Sequence, residues 1–172
     1  MIRIAITGPE ASGKSKLSKE LAAYFGTSFA PEFAREYLEG KDGVYDLKDL
    51  DQITLGQIAI EETALKKANQ VCFFDTDMLV LFVWSSFRFG KVSDLIKNAL
   101  EERKYDFWLL CKPDLPWEAD LLRESPDQKE REELFAIYFN YLLNNYPKSF
   151  AIIDGYGNAR FEKAVNVIEE KL

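Results

Sequence analysis

A doubly wound parallel α/β domain is the fold this sequence predicts, and three observations predict it. Short runs rich in apolar, β-branched and aromatic residues recur between longer amphipathic stretches. Those runs, such as Val71 to Asp75 (VCFFD) and Phe107 to Cys111 (FWLLC), are apolar throughout instead of alternating, as strands buried on both faces must be. Strands and helices then alternate along the chain, which builds a parallel sheet of about five strands with helices on both faces.

In order along the chain, Ile2 to Thr7 is the first strand, and Lys14 to Phe25 has helical periodicity through Leu17, Leu21 and Phe25. A short strand is expected near Ser28 to Ala30, and Leu47 to Asn69 reads as one long helix. Val71 to Asp75 is the third strand, with a second aspartate, Asp77, close behind it. Helices follow near Met78 to Phe87 and Ser93 to Arg103, and Phe107 to Cys111 is the fourth strand. A polar, proline-containing stretch from Lys112 to Asp127 precedes a helix of about five turns that ends near Tyr146. Phe150 to Asp154 is the fifth strand, and Ala159 to Leu172 closes the chain as a helix. With no internal repeat, low-complexity tract or Gly/Ser linker, residues 1–172 read as a single domain with a lid at approximately 112–131. In such sheets the ligand sits beyond the carboxyl ends of the strands.

Composition narrows the chemistry. A chain of 172 residues with 47% hydrophobic residues can bury a sizeable core. The net charge of −7 argues against nucleic acid as a partner, because backbone phosphates demand a basic face. It leaves ATP open, since a few local donors handle its phosphates. No run approaches the roughly 18 apolar residues of a membrane span. The N-terminus enters a strand without the pattern of a signal peptide, so a cytoplasmic protein is expected. Cys72 and Cys111 sit in apolar runs and read as core residues of a reducing compartment. Histidine is absent, which removes Ser-His-Asp and Cys-His hydrolases and most zinc enzymes. Proton transfer then falls to carboxylate, lysine or tyrosine. Oligomeric state has no signature here.

Gly8-Pro9-Glu10-Ala11-Ser12-Gly13-Lys14-Ser15 matches G-x-x-x-x-G-K-[ST], between a strand and a helix. Glycines let backbone wrap phosphates, while successive N–H groups and the helix N-terminus supply donors. Gly8, Glu10, Ala11, Ser12, Gly13, Lys14, Ser15 and Lys16 are therefore the expected ATP contacts. Lys14 is expected to reach the β- and γ-phosphates and Ser15 to hold Mg²⁺. The fold expectation becomes a P-loop domain of nucleoside-kinase type.

Asp75 ends an apolar strand that should lie beside the first, so it is the expected second metal residue with Ser15. No N-K-x-D motif for guanine is present. Arg123, Lys129 and Arg131 cluster at the lid, where cations can offset charge on a transferring phosphoryl group while closure excludes water. A hydroxyl acceptor needs a carboxylate. Glu32 is the candidate, with Asp75 and Asp77 as competitors. Arg35 lies three residues after Glu32, so on a helical turn the two either bind each other or bracket a substrate. Beyond the fifth strand, Asp154-Gly155-Tyr156-Gly157 to Arg160 is placed to contact adenine, or to make an ordinary strand-to-helix turn.

Five segments in order resemble one family. Pro31 to Tyr37 resembles the E-x-x-R-E-[YF] motif of the ribosylnicotinamide kinase domain of NadR-type proteins. Leu55-Gly56-Gln57 is similar to its L-G-[HQ] helix, Phe74 to Asp77 to its D-T-D strand end, and Tyr105 to Leu110 to its fourth strand. Trp117, Asp120 and Arg123 match a W-x-x-D-x-x-R lid pattern. The resemblance implies transfer of the ATP γ-phosphate to the 5′-hydroxyl of nicotinamide riboside, forming nicotinamide mononucleotide for NAD salvage. The residues themselves give Lys14, Glu32 or Asp75, and Arg123 the expected catalytic roles. The resemblance also places the riboside among Glu32, Arg35, Asp75 and Asp77, with Tyr37 or Trp84 stacked on the pyridinium ring. The residues by themselves leave open another nucleoside or small alcohol as acceptor, or a regulatory ATPase acting on a protein partner.

Overall fold

In the computed structural model, which describes residues 1–41, 43–118 and 123–172, strands and helices alternate along the chain. β1 (Ile2–Thr7) runs through a tight loop into α1 (Lys14–Tyr24), and β2 (Phe29–Ala30) is followed by α2 (Phe33–Glu39) and α3 (Leu47–Lys67). β3 (Val71–Asp75) leads to α4 (Met78–Phe89) and α5 (Asp94–Glu102), and β4 (Phe107–Cys111) to α6 (Gln128–Asn145). β5 (Phe150–Ile153) and α7 (Gly157–Glu169) complete the fold. The described strands form one sheet of order β2-β3-β1-β4-β5, parallel at every pairing.

Both faces of that sheet are buried, which is why its strands are apolar throughout. Ile4, Ile6, Phe73 and Leu109 point to the side covered by α1 and α7. Ala5, Phe74, Trp108 and Leu110 point to the other side, under helices that include α3, α4 and α6. Successive residues thus serve opposite cores, as the period of two in a strand requires.

Helix starts follow their caps. The Asp46 carboxylate accepts from the backbone N–H groups of Lys48 and Asp49, and Asp49 accepts in return from that of Asp46, a reciprocal capping box for α3. Ser93 caps α5 and Asp127 caps α6 in the same sense. Sequence-expected boundaries shift by a few residues at most, with one addition. Beyond the short second strand, the single helical turn expected between Glu32 and Arg35 is the seven-residue helix α2. Its N-cap is Glu32, whose backbone is extended after Pro31, and the helix buries Ala34 and Leu38. Two turns are too short to display an unambiguous period.

Candidate active site

The loop between β1 and α1 depends on one close approach. Gly8 has φ +131°, and a Cβ there would lie 2.6 Å from the carbonyl oxygen of Cys111 on β4. Glycine therefore lets the loop leave the sheet edge directly above β4. Ser12 Oγ donates to the Pro9 carbonyl at 2.7 Å and is fully buried, so its hydroxyl shapes the loop. Lys14 Nζ donates to the carbonyls of Gly8 (3.0 Å) and Pro9 (2.8 Å), holding its charge across the loop mouth.

A cavity of about 300 Å³ opens from this loop. Gly8 to Lys16 form one wall, and Glu32, Arg35, Trp84, Arg88, Arg123 and Tyr138 stand around the rest. Glu32 is the N-cap residue of α2, its carboxylate makes no capping hydrogen bond to that helix, and it lines the cavity. Arg35, one turn on, lies 3.9 Å from Glu39. Trp84 contributes its ring, and its Nε1–H donates to the Tyr45 hydroxyl at 2.8 Å.

Asp75 lies beneath the loop. The β1–β3 register pairs it with Ile6, at the end of the strand that feeds the loop. It is only 2% exposed, and its Oδ1 has no hydrogen-bond partner. Burial, joined by the nearby Glu32 carboxylate, pushes its pKa up to about 6 against the pull of Ser15, Lys14 and Lys19. A buried carboxylate oxygen without a donor, beside a serine hydroxyl, is a fitting place for a hard cation such as Mg²⁺. The described residues contain no cluster of three or more His, Cys, Asp or Glu that could hold a metal alone. Such an ion would share Ser15 and Asp75 with phosphate oxygens.

The lid meets the loop through Glu10. Its Oε2 accepts from the backbone N–H of Glu124 at 3.0 Å and its Oε1 from that of Ser125. Glu124 then receives the Tyr45 hydroxyl at 2.7 Å and pairs with Arg88 at 3.4 Å. Arg123 reaches the cavity while its Nη1 donates to the Glu118 carbonyl at 2.6 Å. Asp120 of the lid pattern lies outside the described residues.

Several sequence-expected site residues are placed elsewhere. Asp77 is fully buried away from the cavity, accepting from Thr7 Oγ1 (2.9 Å), Trp108 Nε1 (2.9 Å) and the Val80 N–H (3.2 Å). These donors hold it as the cap of α4, not as a ribose contact. Tyr37 gives its hydroxyl to Asp49 at 2.8 Å and pins α2 to α3, so Trp84 remains the stacking candidate. Lys129 is exposed in the first turn of α6 and is not among the residues around the cavity. Arg131, 3% exposed, donates to the carbonyls of Ser125 and Pro126 and braces the lid from behind. Arg160 is spent in the same way. Its guanidinium binds Asp114 (2.7 Å) and the carbonyls of Ser12 (2.7 Å), Lys112 (3.1 Å) and Gly155 (3.1 Å), underpinning the phosphate loop from outside the cavity lining.

Residues that sequence reasoning passed over include Tyr138, Arg88, Tyr45 and Glu124. Tyr138 sits on the Leu134–Leu142 stripe of α6, where its spacing reads as ordinary core. Arg88 sits in the last turn of α4, where a cation is expected for the helix dipole alone. Tyr45 and Glu124 lie 79 positions apart and nothing local connects them.

A family model described as an AAA domain matches residues 3–160. The trifunctional NAD biosynthesis/regulator protein NadR of Escherichia coli is 30% identical over 98% of this chain. The chain spans 42% of that relative's length. A NadR protein solved in complex with NR superposes with a TM-score of 0.80 at 22% identity, over 98% of this chain and 51% of that one. Deoxyadenosine kinase from M. mycoides superposes at 0.66 and 16% identity, over 98% of this chain and the whole of its own. At these identities the superpositions speak for the fold.

Proposed function

The chain belongs to the AAA-domain family of P-loop proteins, and on that premise we propose that it transfers the γ-phosphate of ATP to a nucleoside, with nicotinamide riboside as the acceptor. One observation carries the reading. A single cavity joins a phosphate-binding loop to a carboxylate, Glu32, and an aromatic platform, Trp84, with a latched lid above them. An ATPase that works on a protein partner has no need of a small-molecule pocket beside its phosphates. The NadR complex with NR, taken as nicotinamide riboside, favours that acceptor. So does chemistry, because a cationic pyridinium suits a pocket offering a Trp84 ring face and carboxylates.

In the transfer, the 5′-oxygen of the ribose bonds to the γ-phosphorus as the bond to the β,γ-bridging oxygen breaks, and the hydroxyl proton passes to Glu32 or Asp75. Loop N–H groups and Lys14 hold the phosphates, and Arg123 faces the charge that grows on the transferring oxygens. Mg²⁺, held by Ser15 and Asp75, would neutralise β- and γ-phosphate oxygens. The lid segment at 123–125, fastened by Glu10, keeps water from competing with the acceptor. Two buried cysteine thiols fit a reducing compartment such as the cytoplasm.

ADP release with Mg-ATP, measured with and without nicotinamide riboside and with a nucleoside panel that includes deoxyadenosine, tests the proposal. Strong stimulation by the riboside with mononucleotide as product is expected. Stimulation by deoxyadenosine alone would discard this acceptor and keep the kinase. No stimulation by any acceptor would overturn both.

A further inference from the structure

We infer that Gln57 is a positioning residue for phosphoryl transfer, a single buried amide that holds the turn carrying Glu32 against the turn carrying Asp75. The inference rests on the kinase reading above and assigns a role to a residue that touches neither phosphate nor acceptor. Gln57 projects from α3, is 1% exposed, and lies behind the cavity wall that Glu32 and Ala34 form. Its Oε1 accepts from the Phe33 N–H at 2.9 Å. Its Nε2 donates to the carbonyls of Pro31 at 3.3 Å and Thr76 at 3.4 Å. Pro31 and Phe33 flank Glu32, and Thr76 follows Asp75 directly. One side chain therefore grips the backbone on both sides of the first carboxylate and immediately behind the second.

Two features show that both turns are under constraint. Thr76 has φ +73°, a left-handed backbone that a β-branched residue adopts only when its surroundings impose it. Its carbonyl is the one Gln57 holds, while its N–H donates to the Ile6 carbonyl at 3.3 Å. On the other side α2 is pressed onto α3, because a Cβ on Gly56 would lie 2.1 Å from Phe33 Cε1. Glycine at 56 admits the start of α2, and glutamine at 57 fastens it. With an apolar side chain at 57, the Phe33 N–H and two carbonyls lose their partner, and each turn is free to find its own geometry. A transfer step that needs hydroxyl, carboxylate and γ-phosphate aligned is sensitive to such slack, whereas loop-held ATP is not.

The test compares wild type, Gln57→Leu and Gln57→His, the last keeping one acceptor and one donor. Three quantities are measured: kcat with nicotinamide riboside, Kd for Mg-ATP, and hydrogen exchange of the Phe33 backbone amide by NMR in ligand-free protein. Gln57→Leu is expected to lower kcat by roughly 10- to 100-fold with ATP affinity nearly unchanged. With its acceptor gone, the Phe33 amide should exchange roughly 10-fold faster than in wild type. Gln57→His should recover most of both effects. Unchanged Phe33 amide exchange in Gln57→Leu overturns the inference, as does ATP affinity falling in step with kcat. If wild type ignores the riboside, the acceptor assignment fails while Phe33 amide exchange still decides whether Gln57 holds the start of α2.

Discussion

At the scale of single residues, the site is organised around charges whose settings differ. Asp75 titrates near 6 against an ordinary 3.8 because it is buried beside another carboxylate. Between those values the folded protein holds more protons than the unfolded chain. Stability is therefore full below pH ~4, falls as pH rises through 6, and is level above it, by on the order of 3 kcal/mol. Asp75→Asn removes this penalty. The ligand-free variant should melt higher than wild type at pH 8, converge with it near pH 4, and lose phosphoryl transfer. A melting series across pH with an activity assay checks all three. In wild type, kcat/KM for ATP should fall as pH drops below about 6, as protonation silences Asp75. Lys14→Ala is expected to lower turnover by about three orders of magnitude or more with the fold intact, and near-normal turnover would remove the loop from the mechanism.

At the scale of elements, the Glu10 side chain fastens the lid to the phosphate loop. Glu10 satisfies the N–H groups of Glu124 and Ser125, and Glu124 passes the connection through Tyr45 to Trp84. Burial pushes the Tyr45 phenol up, which keeps it a hydrogen-bond donor at all working pH values. Glu10→Ala should loosen the lid without touching the helices. ATP hydrolysis in the absence of acceptor should rise several-fold relative to transfer, because water gains access to the γ-phosphate. The ratio of ADP to phosphorylated acceptor reads this directly. An unchanged ratio would show that the lid closes without Glu10.

Across the whole molecule, two buried polar hubs tie the carboxyl edge of the sheet together. Arg160 joins the phosphate loop to the ends of β4 and β5. Asp77 joins β1, β4 and the start of α4, and burial pushes its pKa up. Asp77→Ala leaves three donors without an acceptor, at about 3 kcal/mol, or roughly 6–12 °C in Tm for a chain of this size. Calorimetry with ATP titration separates the roles. A lower Tm with ATP affinity retained is expected, and weaker binding at unchanged Tm would return Asp77 to the list of ligand contacts.

The sequence by itself determined whatever short-range chemistry encodes. Apolar runs such as VCFFD and FWLLC specify strands buried on both faces, and Gly8 to Ser15 specifies a phosphate loop, because each pattern is complete within a few residues. Glu32 was expected at the cleft from its place after the short second strand and Trp84 from the family resemblance, and both border the cavity. Only the tertiary structure decided the roles of Arg160, Arg131 and Asp77. A guanidinium binds a phosphate or a ring of carbonyls equally well, and which it meets depends on partners as distant as Ser12, 148 positions from Arg160. The same holds for Gln57, whose amide matters because folding brings Pro31, Phe33 and Thr76 within its reach. Local pattern sets which elements form. Long-range hydrogen-bond competition sets which polar side chains are left over for chemistry.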